Sequence, residues 1–342
     1  MNLAERVQRT IEVHRLLRRD DRILIAVSGG VDSVALAHLL LRLRSGHRWT
    51  LQLGHVDHGL RPESRREAEH VQRLGARWQV PVLVEMVDVA AVHRREGGSL
   101  EEVARRLRYD ALLRLARACH ADAIAVAHTR DDQAETVLMR LVRGAGLAGT
   151  AGMPYARPLE ERRLVRPLLD CWRQELETCV RAEDLPTVED PSNHDPRFLR
   201  NRIRHQLLPL LEREYNPQIK ELLIQWMMVS EAASAYVAGE AARCFRRLAR
   251  RDGRRVSLAL PGLRRQAVAV QQAVLRLALA EAKGDLRQVG FQHWQEVASL
   301  LHERPAGSVV DLPGGVRAVK QEGSLAIEPA LATVEIVTYN QR

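Results

Sequence analysis

Between residues 22 and about 170, apolar runs of strand length alternate with stretches of helix length. The strand candidates are RILIAVS (22–28), TLQLGHVD (50–57), PVLVEMVD (81–88), DAIAVAH (122–128) and a weaker RLVRPLL (163–169). Between them lie VDSVALAHLLLRLR, ESRREAEHVQRLGARW, SLEEVARRLRYDALLRLARAC and DDQAETVLMRLVRG. Strands separated by helices of this length bury both faces of a parallel sheet. The expectation is an α/β, doubly wound, mostly parallel five-stranded sheet of Rossmann-like form. Ligands of such sheets bind beyond the carboxyl ends of the strands, near the point where strand order reverses. Polar clusters at strand ends are therefore where chemistry is to be sought.

Past this region the rhythm changes. Residues 185–217 carry prolines and two basic helical turns, which reads as a connector, and 218–303 is mostly helical. VVDLPGGVRAVKQEGSLAIEP (309–329) suggests short strands around Gly-Gly and Glu-Gly turns. The expected division is a nucleotide-binding domain over 1–190, a basic helical connector over 191–217 and a helical domain over 218–342 with short strands near 309–329.

Three strand ends are polar. The first is Ser28-Gly29-Gly30-Val31-Asp32-Ser33. Neither G-x-x-x-x-G-K-[ST] nor G-x-G-x-x-G is present, and the first lysine of the chain is Lys220. Two glycines, two hydroxyls and the amides of a helix start can nonetheless cradle a pyrophosphate. Asp32 would repel phosphate unless it holds Mg²⁺ that is itself bound to the phosphates. The plain structural reading is a Gly-Gly turn with a carboxylate at a helix start. The second cluster is HVDHGLRPESRREAEH, where His55, Asp57 and His58 could bind metal or orient a nucleotide, and Arg61 could meet a phosphate. Its plain reading is a loop whose Ser64 and Glu67 form a capping box. The third is AHTRDDQAETVLMRLVRGAGLAG. His128 ends a strand there, and Asp131 and Glu135, four apart, share a helix face suited to a metal or an ammonium. Otherwise Asp131 and Asp132 simply favour the helix dipole. Arg143 and Gly144 end that helix, leaving Arg143 free to reach phosphate. In SLEEVARRLRYDALLRLA, the arginines Arg105, Arg106 and Arg108 read on their own as a solvated face.

Composition narrows the partners. A formal net charge of +9 favours an anionic one, and 4% aromatic residues argue against an extended base-stacking platform. The four cysteines form no C-x-x-C pair, which argues against zinc, an iron–sulfur cluster or a disulfide framework. The first residues, MNLAERVQRTIEVHRLLRR, lack the apolar core of a signal peptide, and Glu5 and Glu12 favour a domain helix over a transit sequence. No window approaches the ~20 apolar residues that span a bilayer. The expectation is a cytoplasmic protein that does not meet a membrane.

These motifs, in this order, resemble the N-type ATP pyrophosphatase (PP-loop) superfamily, whose phosphate loop reads SGGxDS. HVDHGLRPES, ARRLRYDAL, AHTRDDQAET with RLVRGAGLAGTAGM, and DPSN followed by RNRIRHQLLPLL look like the tRNA(Ile)-lysidine synthetase family. The resemblance is dense over about 20–217 and weaker to about 330. It implies attachment of free L-lysine to C2 of the wobble cytidine of a CAU-anticodon tRNA(Ile). ATP first adenylates the base and releases pyrophosphate; the lysine amine then displaces AMP. The implied cofactors are ATP and Mg²⁺, with Ser28, Gly29, Gly30, Val31, Asp32, Ser33, His55, Asp57, Arg108, Arg143 and Gly144 around the nucleotide and Asp32 on the metal. Asp32, His128, Asp131, Asp132 and Glu135 are the catalytic candidates; one of the last three, or His58, would take the amine's proton. Arg197, Arg200, Arg202, Arg204 and His205 are the expected tRNA contacts, and the resemblance is compatible with a homodimer. Unlike the longest members, the sequence stops soon after the first C-terminal domain, so rejection of the similar methionine tRNA is not read from it. A tRNA thiolase of the same superfamily is the rival reading, since it shares the adenylation step.

Overall fold

The computed structural model describes residues 2–57, 64–188, 195–286 and 288–330. The chain divides into two compact units, Met1–Ser230 and Glu231–Arg342. The boundary falls inside a helix, and the basic connector belongs to the first unit.

The first unit holds a sheet of six strands: β1 (Arg22–Ala26), β2 (Thr50–Asp57), β3 (Val82–Met86), β4 (Ala123–Ala125), β5 (Ala156–Leu159) and β6 (Arg162–Val165). Their order is β3-β2-β1-β4-β6-β5, and all neighbours are parallel except β5 with β6. Five of these strands match the sequence reading. The sixth corrects it: β5 is an antiparallel edge whose ARPL offers no alternating apolar pattern, and its turn to β6 sets Glu160 at φ +50°.

Alternate residues of the central strand feed two cores. Ile23 and Ile25 face α1 (Leu3–Val13), α2 (Val31–His47), α3 (Ser64–Trp78) and α7 (Arg173–Ala182). Leu24, with Ile124 and Leu164, packs against Leu112 and Leu115 of α5 (Leu100–Ala118). Helices on both faces make the sheet doubly wound. The remaining helices of this unit are α4 (Val89–Glu96), α6 (Arg130–Val142), α8 (Leu199–Arg202) and α9 (Leu208–Glu214). A π turn at Ile203–Leu207 joins α8 to α9. A 30-residue helix, α10 (Ile219–Leu248), follows and runs across the unit boundary.

The second unit adds β7 (Ala249–Asp252), β8 (Arg255–Ala259), α11 (Leu260–Arg264), α12 (Val268–Lys283), α13 (Phe291–His302), β9 (Val309–Leu312), β10 (Val316–Gln321) and β11 (Ser324–Pro329). The strands form one antiparallel sheet ordered β7-β8-β11-β10-β9, with a core that includes Leu258, Leu279, Leu300 and Ile327. The turns expected at Gly314-Gly315 and Glu322-Gly323 are present, their glycines at positive φ. The β7–β8 hairpin lies where helix was expected. Its signal was Asp252-Gly253, a hairpin dipeptide ahead of the alternating RVSLA run.

Candidate active site

Strand order reverses between β1 and β4, and the segments leaving those two strands meet there. A cavity of about 330 Å³ opens at that point, lined by Ser28, Gly30, Val31, Asp32 and Ser33 from the first segment and His128 and Asp132 from the second. His55, Glu67, Arg108, Arg173 and Arg204 complete its polar walls.

The first wall is a turn locked from inside. Gly29 has φ +90°, which favours glycine, and a Cβ there would also press on His70 Cδ2 at 3.3 Å. The Ser33 hydroxyl donates to Gly30 O at 2.9 Å and lies 3.2 Å from the Ser28 hydroxyl. Val188 N donates to Gly29 O at 2.9 Å, tying the turn to the chain beyond α7. Gly30 precedes α2 without a side-chain cap, so first-turn amides stay available to an anion.

Asp32 stands one turn into this wall. Its Oδ2 accepts from Arg173 Nη1 at 3.3 Å, while Oδ1 is buried with no hydrogen bond to a described residue. Burial pushes its pKa up to about 6 against the pull of Arg173, with Asp132 and Asp131 adding to the rise. An orphaned oxygen on a carboxylate beside an anion cradle suits Mg²⁺, which binds through one or two carboxylates plus phosphate and water. Among the described residues no group of three or more His, Cys, Asp or Glu forms a metal cage, so the phosphates would supply much of the ion's coordination. His55 is buried at the same end; its Nδ1 lies 2.9 Å from Val27 O, and burial lowers its pKa. Asp57 is buried at the end of β2, outside the cavity lining.

The second wall is an ion network. Thr129 and Asp132 close a capping box at the start of α6, with Thr129 N donating to Asp132 Oδ2 at 2.8 Å. Arg200 and Arg204 then clamp Asp132 and Glu135 together. Arg200 Nη2 lies 2.7 Å and Arg204 Nη2 3.0 Å from Asp132 Oδ1. Arg200 Nε and Arg204 Nε reach Glu135 at 2.9 and 2.5 Å. The Glu135 side chain is 3% exposed. Burial works against the Asp132 charge, but Arg200, His128 and Arg204 hold its pKa well below the usual carboxylate range. His128 is pushed down to about 3 by burial, opposed by Asp132. Arg166 Nε donates to His128 Nδ1 at 3.2 Å, which leaves the ring proton on Nε2.

Two expectations need correction, the carboxylate beside Glu135 and the place of Arg143 and Gly144. Asp132, not Asp131, stands beside Glu135. Asp131 turns outward and accepts from Arg173 N at 2.8 Å, capping α7, with Lys220 Nζ 3.4 Å from its other oxygen. Arg200 and Arg204, expected as tRNA contacts, are paired with Asp132 and Glu135. Arg202 and His205 are exposed, and so is Arg197, which forks onto Asp195. Arg143 and Gly144 do not line the cavity: α6 rises about 1.5 Å per residue, which carries its far end roughly 20 Å from its start. His58 and Arg61 lie outside the described residues. Arg173 and Arg166 were missed, because an arginine following a strand or opening a helix carries no pattern of its own.

The comparisons with known proteins agree with this geometry. Residues 2–211 match the family model of a PP-loop domain and residues 258–325 that of a TilS substrate binding domain. A tRNA(Ile)-lysidine synthase from Symbiobacterium thermophilum is 37% identical over 325 residues, 93% of this chain and 67% of that protein. The chain belongs to the tRNA(Ile)-lysidine synthase family. A family member from Solibacter usitatus is 38% identical over 294 residues, covering 86% of this chain but 64% of that protein. One from Nostoc sp. is 32% identical over 332 residues, 93% and 94% of the two chains. The chain thus spans about two thirds of its longer relatives and nearly all of the Nostoc one. Among solved structures, the U34-tRNA thiolase NcsA from Methanococcus maripaludis, with its [4Fe-4S] cluster, overlays with TM-score 0.55 at 16% identity over 66% of this chain and 78% of that one. At that identity the likeness is one of fold. No helix among the described residues is long and apolar enough to cross a membrane.

Proposed function

We propose that this chain ligates free L-lysine to C2 of the wobble cytidine of a CAU-anticodon tRNA(Ile), using ATP and Mg²⁺ and releasing AMP and pyrophosphate. One observation carries the reading: the lysine-free phosphate loop and Asp132, the carboxylate clamped beside Glu135, line a single cavity. Adenylation needs the first and an incoming ammonium the second.

In the first step the cytidine O2 attacks the α-phosphorus of ATP and pyrophosphate departs. The Ser28–Ser33 turn and the α2 amides hold the departing charge where it develops. Asp32, through its orphaned oxygen, would hold the Mg²⁺ that neutralises the phosphates. His128 acts as a hydrogen-bond donor: its Nδ1 is occupied by Arg166, and burial keeps it from taking a second proton. In the second step the lysine Nε attacks C2 and AMP leaves with O2. Four carboxylates (Asp32, Asp131, Asp132, Glu135) already face four cations (Arg173, Lys220, Arg200, Arg204). The substrate ammonium therefore enters by displacing a resident cation, and the carboxylate it reaches is positioned to take its proton.

The thiolase reading fares worse. None of Cys119, Cys171, Cys179 and Cys244 lines the cavity, and burial pushes the Cys171 thiol up to about 12. The test is incorporation of labelled lysine into an unmodified CAU transcript with ATP and Mg²⁺. Transfer that requires the cytidine and is lost in Asp32→Ala is the expected result. AMP formation without lysine transfer would mean that the nucleophile is another compound.

A further inference from the structure

Four arginines gather around one tyrosine beside the cavity, and a fifth, Arg140, stands near Arg105. Arg105 and Arg108 come from α5, Arg140 from α6, Arg157 from β5, and Arg166 from the residue after β6. The guanidinium carbons of Arg157, Arg108 and Arg105 lie 4.8, 5.3 and 5.8 Å from the centre of the Tyr109 ring. Arg166 is 2% exposed and donates to Pro154 O at 2.7 Å as well as to His128. Arg140 donates to Gly149 O and Gly152 O at 3.0 and 2.7 Å. Their partners are carbonyls, a neutral imidazole and the tyrosine itself; among the described residues none of the five meets a carboxylate. The Tyr109 hydroxyl is buried among these guanidinia, with Arg108 and Arg166 close enough to donate to it.

Like charges packed this closely, one of them fully buried, destabilise a fold unless an anion joins them. The nucleotide does not answer this need, because the Ser28–Ser33 turn already supplies its anion cradle. The cluster is not remote either: Arg108 and His128 line the cavity, and Arg166 holds His128. A cytidine placed there for reaction brings backbone phosphates on both sides of its ribose. Arg105 is exposed and extends the positive surface outward, along which a strand can continue. With so few aromatic residues in the chain, phosphate contacts must do the positioning that stacking does elsewhere. We propose that the Tyr109 arginine cluster grips an RNA phosphodiester flanking the reacting cytidine. This inference rests on the RNA-modifying activity proposed above. Arg105, Arg140, Arg157 and Arg166 are on this account positioning residues, with the tyrosine hydroxyl a further donor to phosphate.

The experiment uses the full chain, a CAU anticodon stem–loop RNA and the variants Arg105→Gln, Arg157→Gln and the pair combined. RNA affinity is read by fluorescence anisotropy without ATP or lysine, and KM for RNA, ATP and lysine by lysine transfer. The double variant should bind the stem–loop roughly tenfold more weakly. The slope of log affinity against log salt should shrink by about 0.7 for each phosphate that is no longer neutralised. KM for RNA should rise in step, with kcat and the other two KM values within about twofold. A melting temperature equal to wild type keeps the comparison valid, and exposed Arg105 alone serves if the double variant is unstable. Unchanged RNA affinity overturns the proposal. A rise confined to KM for lysine overturns it in favour of the amino-acid carboxylate, and one confined to ATP in favour of the nucleotide. Wild-type protein that binds the RNA but transfers no lysine would defeat the activity, while the anisotropy comparison would still read the cluster.

Discussion

Glu135 binds two guanidinia with two oxygens inside a nearly closed wall, so its substitution has a clear consequence. Glu135→Gln leaves Arg200 and Arg204 short of a counter-charge, and breaking a buried pair in this way costs about 3–5 kcal/mol. Urea denaturation should show that loss, and lysine transfer should fall at least about 100-fold, since an amide neither holds an ammonium nor accepts its proton. His128 gives a test with a sign. Its pKa in the fold, about 3, lies below the ordinary 6.5, so the neutral ring contributes stability that is full above pH 6.5. That contribution is lost as pH falls from 6.5 towards 3, because the unfolded chain takes up the proton first. Against wild type, His128→Asn should lose less stability per pH unit across this window, by at most about 1.4 kcal/mol for one proton. Parallel curves would show that His128 is protonated in the fold. At this scale the sequence identified chemistry well but orientation badly. Asp131 and Glu135 satisfy the four-residue rule for a shared face, yet the capping box turns Asp132 inward and frees Asp131 to cap another helix.

That second cap makes Asp131 a joint between elements. It accepts from the first amide of α7 and meets Lys220 near the start of α10, while its neighbour Arg130 lies over the Trp172 ring and bonds Glu221 at 2.8 Å. Asp131→Ala should therefore cost about 1–2 kcal/mol, the range of a lost cap and a half-exposed ion pair. Asp132→Ala should cost more, since its carboxylate is the buried one. Chemical denaturation of the two variants side by side checks the order; equal losses would mean that the two carboxylates are equivalent. Elements with strong local periodicity were legible: the apolar runs of β1, β2, β3 and β4, and the helices between them. The edge strand β5 was not, because its partner β6, rather than its own pattern, makes it a strand. The β7–β8 hairpin was legible in principle through Asp252-Gly253, but lay between longer helical patterns.

At the scale of the molecule, two units with separate cores call for separate tests. Leu258 is fully buried in the second core, and Leu258→Ala should remove about 2–5 kcal/mol from that unit. ATP binding at the Ser28–Ser33 turn of the first unit should persist, which a nucleotide-binding titration would show; loss of both would mean that the units fold as one. The net charge of +9 adds a second expectation for the intact chain. If RNA is held through about six phosphates, its affinity should drop by about 10³ between 50 and 200 mM salt, whereas ATP binding should change far less.

What the sequence determined by itself was the class of sheet, the phosphate loop and the residue types at the strand ends, because these rest on local periodicity and on glycine's backbone freedom. What only the tertiary structure decided was pairing: which carboxylate joins Glu135, which arginines neutralise that pair, and which stand around Tyr109 with no carboxylate of the described residues beside them. An arginine looks the same in sequence whether it faces water, RNA or a buried acid. Its role is set by the charges that other segments bring within a few ångströms, and those segments lie dozens of residues apart, as Asp132 does from Arg200 and Tyr109 from Arg157.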